Sequence, residues 1–247
     1  MEKKKIVIAL AGNPNSGKSS IFNNLTGLRQ HVGNYPGVTV EKKEGKTEFK
    51  GYEINVVDLP GTYSLSSYSE DEVVARDFII RERPDIIVHV VDSSNLERNL
   101  YLGTQLLELG VPLIFVMNMS DVAKNKGQQI DHKKLSALLG ASVVETIGNR
   151  SIGTYELRES IVDTYEAKTE RKEVHIDYGP EIAQELAELE KILDEDAALT
   201  EAYPRRWLVI KLLENDSGVL NILKNHSRFK ELESQLGKSR HHLELHF

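Results

Sequence analysis

The sequence has no cysteine among its 247 residues, which excludes disulfide staples, thiolate zinc sites and cysteine nucleophiles together and fits a reducing compartment. Long apolar runs are missing too. "DIIVHVVD" and "VPLIFVMNM" are strand-sized, far short of the ~20 residues that cross a bilayer as a helix. The N-terminal "MEKKKIVIAL" turns polar just after Ala11, too early for the core of a signal peptide. Positive charge is in deficit: 31 Lys and Arg against 38 Asp and Glu give a formal charge of −7. That balance argues against a broad nucleic-acid or anionic-membrane surface, so no nucleic-acid partner is expected. There is no internal repeat, no low-complexity segment and no His/Asp/Glu cluster at convincing metal-ligand spacing. What these absences leave is a soluble chain, long enough for one large domain or a medium domain with an appendage.

Up to about Lys168 short β-branched runs alternate with helical segments. Residues 6–10, 40–49, 54–57, 86–91, 113–117 and 142–144 read as strands, and 18–26, 69–83, 96–109, 132–139 and 153–165 as helices. Such alternation predicts an α/β fold with a mostly parallel six-stranded sheet, ligands gathering at the carboxyl ends of the strands. One strand is antiparallel, because only Lys50-Gly51 separates 40–49 from the strand that follows. After "EAKTERKEV" helix formers take over. The domains are therefore 1–168 and a small all-α region over 176–240. In that region Ile182, Leu186, Leu189 and Leu193 form one stripe of a helix that Pro180 opens. Further helices are expected near 205–214, 217–225 and 229–236, with Trp207 in the core.

The chemistry concentrates in four loops. "GNPNSGKS", Gly12 to Ser19, satisfies GxxxxGK[ST] and lies after a strand and at the opening of a helix. Glycines let backbone N–H groups turn onto phosphate oxygens, Lys18 supplies a point charge to the β- and γ-phosphates, and Ser19 offers a hydroxyl to Mg²⁺. In "VVDLPG" the Asp58 carboxylate can hold Mg²⁺ through water, while the Gly61 amide can approach the γ-phosphate. Between these, Tyr35-Pro36-Gly37 and Thr39 read as a switch loop, ordered when a hydroxyl is laid on Mg²⁺ in the triphosphate state. "VMNMSD" places Asn118 and Asp121 at NxxD spacing. A carboxylate there accepts from the N1 and N2 donors of guanine, a pair adenine lacks. Thr146, Ile147 and Gly148 would supply the loop whose backbone touches the guanine O6.

These elements look like a Ras-like P-loop GTPase of the translation-factor-related class. "GNPNSGK", "NYPGVTVEKKEG", "DLPGTYSL" and "NMSD", with "RWLVIKLLEND" from Arg206, narrow the likeness: they resemble the cytoplasmic G domain and helical spacer of FeoB-type ferrous-iron transporters. The resemblance implies GTP and GDP as ligands, with Mg²⁺ and K⁺. It makes Gly12, Asn13, Asn15, Ser16, Gly17, Lys18, Ser19 and Ser20 the phosphate loop, and Gly37, Val38 and Thr39 the switch loop. Asp58, Leu59, Pro60 and Gly61 become the γ-phosphate sensor, and Asn118, Met119 and Asp121 the base readers. Catalysis would fall to Lys18, Asn15, Thr39 and Gly61. Mg²⁺ would be held by Ser19, Thr39 and, through water, Asp58; K⁺ would be held by Asn15, whose alternative role is simply to form the turn. The implied setting is the cytoplasmic face of a cell membrane, with a membrane-spanning iron permease, small accessory proteins and other copies of the chain as partners.

Three departures from the pattern matter. Thr62 follows Gly61 where many G domains have a water-orienting glutamine, so hydrolysis is expected to be slow or organised differently. Met119 replaces the usual lysine, which predicts modest affinity and fast release. Tyr35 stands where many family members carry tryptophan, with little change expected. Two other functions share the motifs: an RNA- or ribosome-associated assembly GTPase, disfavoured by the acidic balance, and a nucleotide sensor without useful catalysis, favoured by Thr62. His89 reads as a satisfied core histidine rather than an iron ligand, and His241, His242 and His246 as a frayed or added end rather than a metal site.

Overall fold

The computed structural model describes residues 4–27, 30–167, 176–193, 197–225 and 228–246. The composition change expected between 168 and 176 falls almost wholly outside them. The chain divides into two compact units, Met1–Val174 and His175–Phe247.

The first unit runs β1 (Lys4–Gly12), α1 (Lys18–Thr26), β2 (Gln30–Asn34), β3 (Glu41–Phe49), β4 (Tyr52–Asp58), α2 (Glu70–Glu82), β5 (Ile86–Asp92), α3 (Leu96–Leu107), β6 (Leu113–Asn118), α4 (Ser120–Asn125), α5 (His132–Leu139), β7 (Ser142–Glu145) and α6 (Thr154–Glu166). Its strands form one sheet in the order β2-β3-β4-β1-β5-β6-β7. β1 pairs in parallel with β4 and β5, while β3 runs antiparallel to both of its neighbours. The β3–β4 turn has both Lys50 and Gly51 at positive φ, 47° and 83°, the backbone signature of a type I′ hairpin.

The sheet has seven strands where six were expected. The additional strand, β2, is exposed along its whole length. "QHVGN" carries no alternating apolar face, so only its ladder to β3 makes it a strand. The core explains the rest of the order. Ile6, Ile8 and Leu10 of β1 are buried with Ile54 and Val56 of β4 and Val88 and Val90 of β5, beneath Phe22 of α1 and Ile161 of α6. Each such side chain contributes about 1.5–3 kcal/mol. α2 starts where the sequence places it, because Ser69 and Glu72 form a reciprocal capping box.

The second unit comprises α7 (Pro180–Leu193), α8 (Ala197–Ala202), α9 (Arg205–Leu213), α10 (Ser217–Leu223) and α11 (Phe229–His246). Leu186, Leu189 and Leu193 of α7 are buried, as are Trp207, Leu208 and Leu212 of α9 and Leu232 and Leu236 of α11. The terminal histidines are not a frayed end: α11 continues to His246, and His242 Nδ1 lies 2.6 Å from Oε1 of the buried Glu185. Among the described residues no group of three metal-ligating side chains is assembled, and no helix is long and apolar enough to cross a membrane.

His89 departs from expectation. It is 0 % exposed, yet neither ring nitrogen has a hydrogen-bond partner among the described residues. Its ring meets Phe115 edge-on at 5.4 Å, and an added Cβ on Gly103 would come within 3.1 Å of its Nδ1. The ring is thus held by packing alone, and burial pushes its pKa down to about 3. Below the ordinary histidine value of 6.5 the unfolded chain binds a proton that the folded chain refuses. Stability present above that pH is therefore lost as pH falls from 6.5 toward 3, by about 1.4 kcal/mol per unit from this residue. His89→Leu is expected to remove that increment and to leave stability at pH 7.5 unchanged or higher. Urea denaturation of both proteins at pH 7.5 and 5.5 checks this; identical losses on acidification would contradict it.

Candidate functional site

β1 delivers the phosphate loop between β4 and β5, at the carboxyl end of the sheet. Gly12 is glycine for space, since a Cβ there would sit 2.6 Å from the Val90 carbonyl oxygen and 2.9 Å from Ser16 Oγ. The chain then turns through Asn15 and Gly17, at φ 66° and 88°, with Ser16 N–H donating to the Asn13 carbonyl at 3.1 Å. Asn15 is exposed in a left-handed conformation that asparagine tolerates, so its turn role stands on geometry alone. α1 opens on Gly17 without a side-chain cap, leaving first-turn N–H groups and the positive end of the helix dipole facing the loop.

Beside this loop the Lys18 ammonium contacts the Asp58 carboxylate, both side chains being mostly buried. Residues after Asp58 are stitched to β1: Leu59 N–H donates to the Leu10 carbonyl at 3.0 Å and Thr62 N–H to the Gly12 carbonyl at 3.3 Å. Gly61 packs beside Pro14, where a Cβ would meet backbone at 3.4 Å. Thr62 is 4 % exposed, packed into the protein rather than presented to solvent. The exposed Ser19 hydroxyl and the Asp58 carboxylate are hard oxygen donors of the kind that suits Mg²⁺.

The base side is organised by Asn118, which is 2 % exposed. Its Nδ2 donates to the Ser16 carbonyl at 2.9 Å, and its Oδ1 accepts from Gly148 N–H at 2.8 Å and Thr146 Oγ1 at 3.2 Å. One amide thus bridges the phosphate loop and the loop after β7. It leaves no room for side chains around it, since a Cβ on Gly17 would lie 2.1 Å from Nδ2 and one on Gly148 3.2 Å from Oδ1. Met119 adopts φ 56°, and its Cε lies 3.5 Å from where a Gly17 Cβ would be, over the phosphate loop. Asp121 is half-buried in the first turn of α4. Ile147 forms an isolated bridge with Ile152 that closes its loop.

Thr39 stands apart from this cluster and is exposed. Its loop turns at Gly37, φ 79°, with Val38 N–H donating to the Tyr35 carbonyl at 3.3 Å. Val38 is half-buried and Pro60 likewise. Two long-range contacts are not announced by the sequence. Tyr35 is buried, with its hydroxyl on the Asp58 carbonyl at 3.0 Å. Asn24 of α1 donates to the Gly148 carbonyl at 2.8 Å, across 124 residues, and nothing local signals such a partner.

Asn118 therefore differs from Asp121 in what its loss should do to the protein without nucleotide. Asn118→Ala strands buried groups in two loops and is expected to lower stability by about 2–3 kcal/mol, whereas Asp121→Ala should stay within about 0.5 kcal/mol. Chemical denaturation of nucleotide-free protein measures both; equal small effects would contradict the bracing role.

Residues 6–161 match the family Ferrous iron transport protein B, and residues 178–247 match the FeoB cytosolic helical domain. The Fe(2+) transporter FeoB of Escherichia coli K12 is 45% identical over 217 residues, which are 86% of this chain and 27% of that protein. A Porphyromonas gingivalis Fe(2+) transport protein A/Fe(2+) transporter FeoB fusion protein is 44% identical over 213 residues, 85% of this chain and 25% of the fusion. The chain thus spans about a quarter of the length of these curated relatives. Among solved structures, the cytosolic domain of the T. maritima FeoB iron transporter in a GDP form superposes with TM-score 0.84 at 37% identity, covering 97% of this chain and 96% of that one. The GMPPNP form gives 0.81 at 36%, with the same coverage. A GDP-bound S. thermophilus NFeoB glutamate-to-alanine mutant gives 0.85 at 39%, covering 96% and 90%. With both of its units matched and a Ras-like G domain followed by helices, the chain belongs to the FeoB family.

Proposed function

We propose that the chain is the guanine-nucleotide switch of a ferrous-iron transporter, binding GTP, hydrolysing it slowly and changing conformation with nucleotide state. The observation that carries this reading is the convergence of Lys18, Asp58 and the Asn118-braced loops at one end of the sheet. GDP and GMPPNP forms of relatives support the choice of ligand. In this reading Lys18 and the N–H groups of residues 12–20 hold the phosphates, Asp121 reads the guanine edge, and residues 146–148 flank O6. Ser19, Thr39 and Asp58 would hold Mg²⁺, which supplies charge neutralisation at the β- and γ-oxygens. Asn15 would hold K⁺ beside the same oxygens, supplying transition-state charge in place of an arginine finger.

Family membership favours the transporter setting over an RNA-associated role. The membrane-spanning permease, at the cytoplasmic face of a cell membrane, is then the partner that reads the switch. The fusion of transport proteins A and B in P. gingivalis supports a small accessory protein as a second partner. A nucleotide sensor without useful catalysis remains a second reading, because Thr62 is packed inside rather than aimed at a nucleophile.

GTP turnover with Mg²⁺, in potassium and then in sodium at matched ionic strength, separates the two. The switch reading expects GTP hydrolysis about tenfold faster in potassium, equivalent to ~1.4 kcal/mol of barrier. It also expects no comparable turnover of ATP and loss of the potassium advantage in Asn15→Ala. Equal slow rates in both salts would retire Asn15 as a catalytic residue, turnover no faster than in Lys18→Ala would leave the sensor, and equal use of ATP would contradict the guanine assignment.

A further inference from the structure

The loop that carries Thr39 is fastened by a side chain that the nucleotide site does not use. Tyr35 is 5 % exposed, although Pro36, Gly37 and Thr39 beside it are all exposed. Its hydroxyl donates to the backbone carbonyl of Asp58 at 3.0 Å. Its ring meets Phe78 of α2 edge-on at 6.0 Å, and the Lys42 ammonium lies 5.8 Å and 5.7 Å from the two ring centres. Its own N–H donates to the Val40 carbonyl at 2.9 Å, so residues 35–40 close on themselves around the Pro36-Gly37 turn. One phenol therefore ties three pieces together: the loop of Thr39, the strand end that bears Asp58, and the helix that follows Gly61.

Each contact has a chemistry that the neighbouring residues cannot supply. The Asp58 carboxylate is engaged by Lys18 while its carbonyl is engaged by Tyr35, so one residue is held from two sides. Burial, then the carboxylates of Asp58 and Glu44, push the Tyr35 phenol well above its ordinary pKa. It stays a protonated donor throughout the neutral range. Glu44 itself pairs with Lys42 at 2.6 Å, which fixes the cation over both rings. Thr39, four residues from Tyr35, is exposed.

We propose that Tyr35 is a positioning residue whose hydroxyl latches the Thr39 loop to the Asp58 strand end, holding Thr39 in solvent and opposing the triphosphate-engaged state of the loop. The latch rests on the nucleotide-switch reading, but its mechanical part does not need nucleotide. On this proposal a ligand that recruits Thr39 brings the loop off this bond, whereas a diphosphate leaves it in place. The latch therefore biases the protein toward the diphosphate form by the worth of one neutral hydrogen bond, about fivefold in population.

Tyr35→Phe removes the hydroxyl and keeps the ring on Phe78. Two measurements test it. In nucleotide-free protein, amide hydrogen exchange at Tyr35 and Val38 should rise about fivefold in the variant, with β6 amides unchanged. By titration calorimetry, affinity for GMPPNP relative to GDP should rise about fivefold, with GDP affinity itself held within twofold. Unchanged exchange overturns the latch whatever the nucleotide results. Faster exchange with an unchanged or lowered GMPPNP to GDP ratio overturns the opposition to the triphosphate state. Absence of guanine-nucleotide binding by the unmutated protein overturns the parent reading instead, and the exchange result still decides whether the hydroxyl fastens the loop.

Discussion

The buried amide of Asn118 is where three otherwise separate loops are held in register. Its Nδ2 is committed to the phosphate loop at Ser16 and its Oδ1 to Gly148 and Thr146. A buried amide satisfied on both sides is stiff, because breaking either side exposes unpaired polar groups to a dry interior. The spacing of the site follows. The end of β6 is fixed against the opening of α1, and the loop after β7 is fixed against both. Asp121, three residues along, is then carried to the site's edge by α4 without having to brace anything. Gly17 and Gly148 are glycines because Asn118 occupies the space that their Cβ atoms would need. The glycine at the start of α1 thus answers to a strand about a hundred residues away as much as to phosphate.

What the sequence disclosed and what it concealed divide along the same line. The phosphate loop, the DxxG segment and NxxD are contiguous, and each has its signature residues a few positions apart, so spacing reveals them. The β3–β4 hairpin and the capping box of α2 are local in the same sense. β2 is concealed because its only support is the ladder to β3, which depends on tertiary pairing rather than on an apolar face. The tertiary contacts of Tyr35 and Asn24 are concealed because their partners lie 23 and 124 residues away. His89 lies in the core, as its apolar strand announces, but the sequence does not announce its unsatisfied ring, because satisfaction depends on the packing of Gly103 and Phe115 around it. The last helix ran on past its expected end for a related reason. His242 of α11 meets the buried Glu185 of α7, a long-range contact that a polar terminal pattern does not announce.

The loops that carry Thr39 and Gly61 are built on opposite physical terms. Residues 58–62 are tied by backbone hydrogen bonds to the carboxyl end of β1, a central strand of the sheet. Residues 35–40 rest on one turn and one phenol, a far smaller set of interactions. The helical unit has its own core and carries a buried lysine, Lys211, paired with Glu214 at 2.7 Å. A charge so enclosed is tolerated only while it is paired, which makes α9 intolerant of local rearrangement and suits a rigid element better than a flexible one.

The central claim is that this braced site selects guanine through Asp121. Calorimetric titration of GDP and XDP into the unmutated chain and into Asp121→Asn tests it most directly, because the substitution replaces an acceptor pair with one donor and one acceptor while leaving the brace in place. The account predicts that the unmutated chain prefers GDP, and that the variant loses about a hundredfold in GDP affinity while gaining XDP. A variant that still binds GDP in preference to XDP would contradict the assignment of the site.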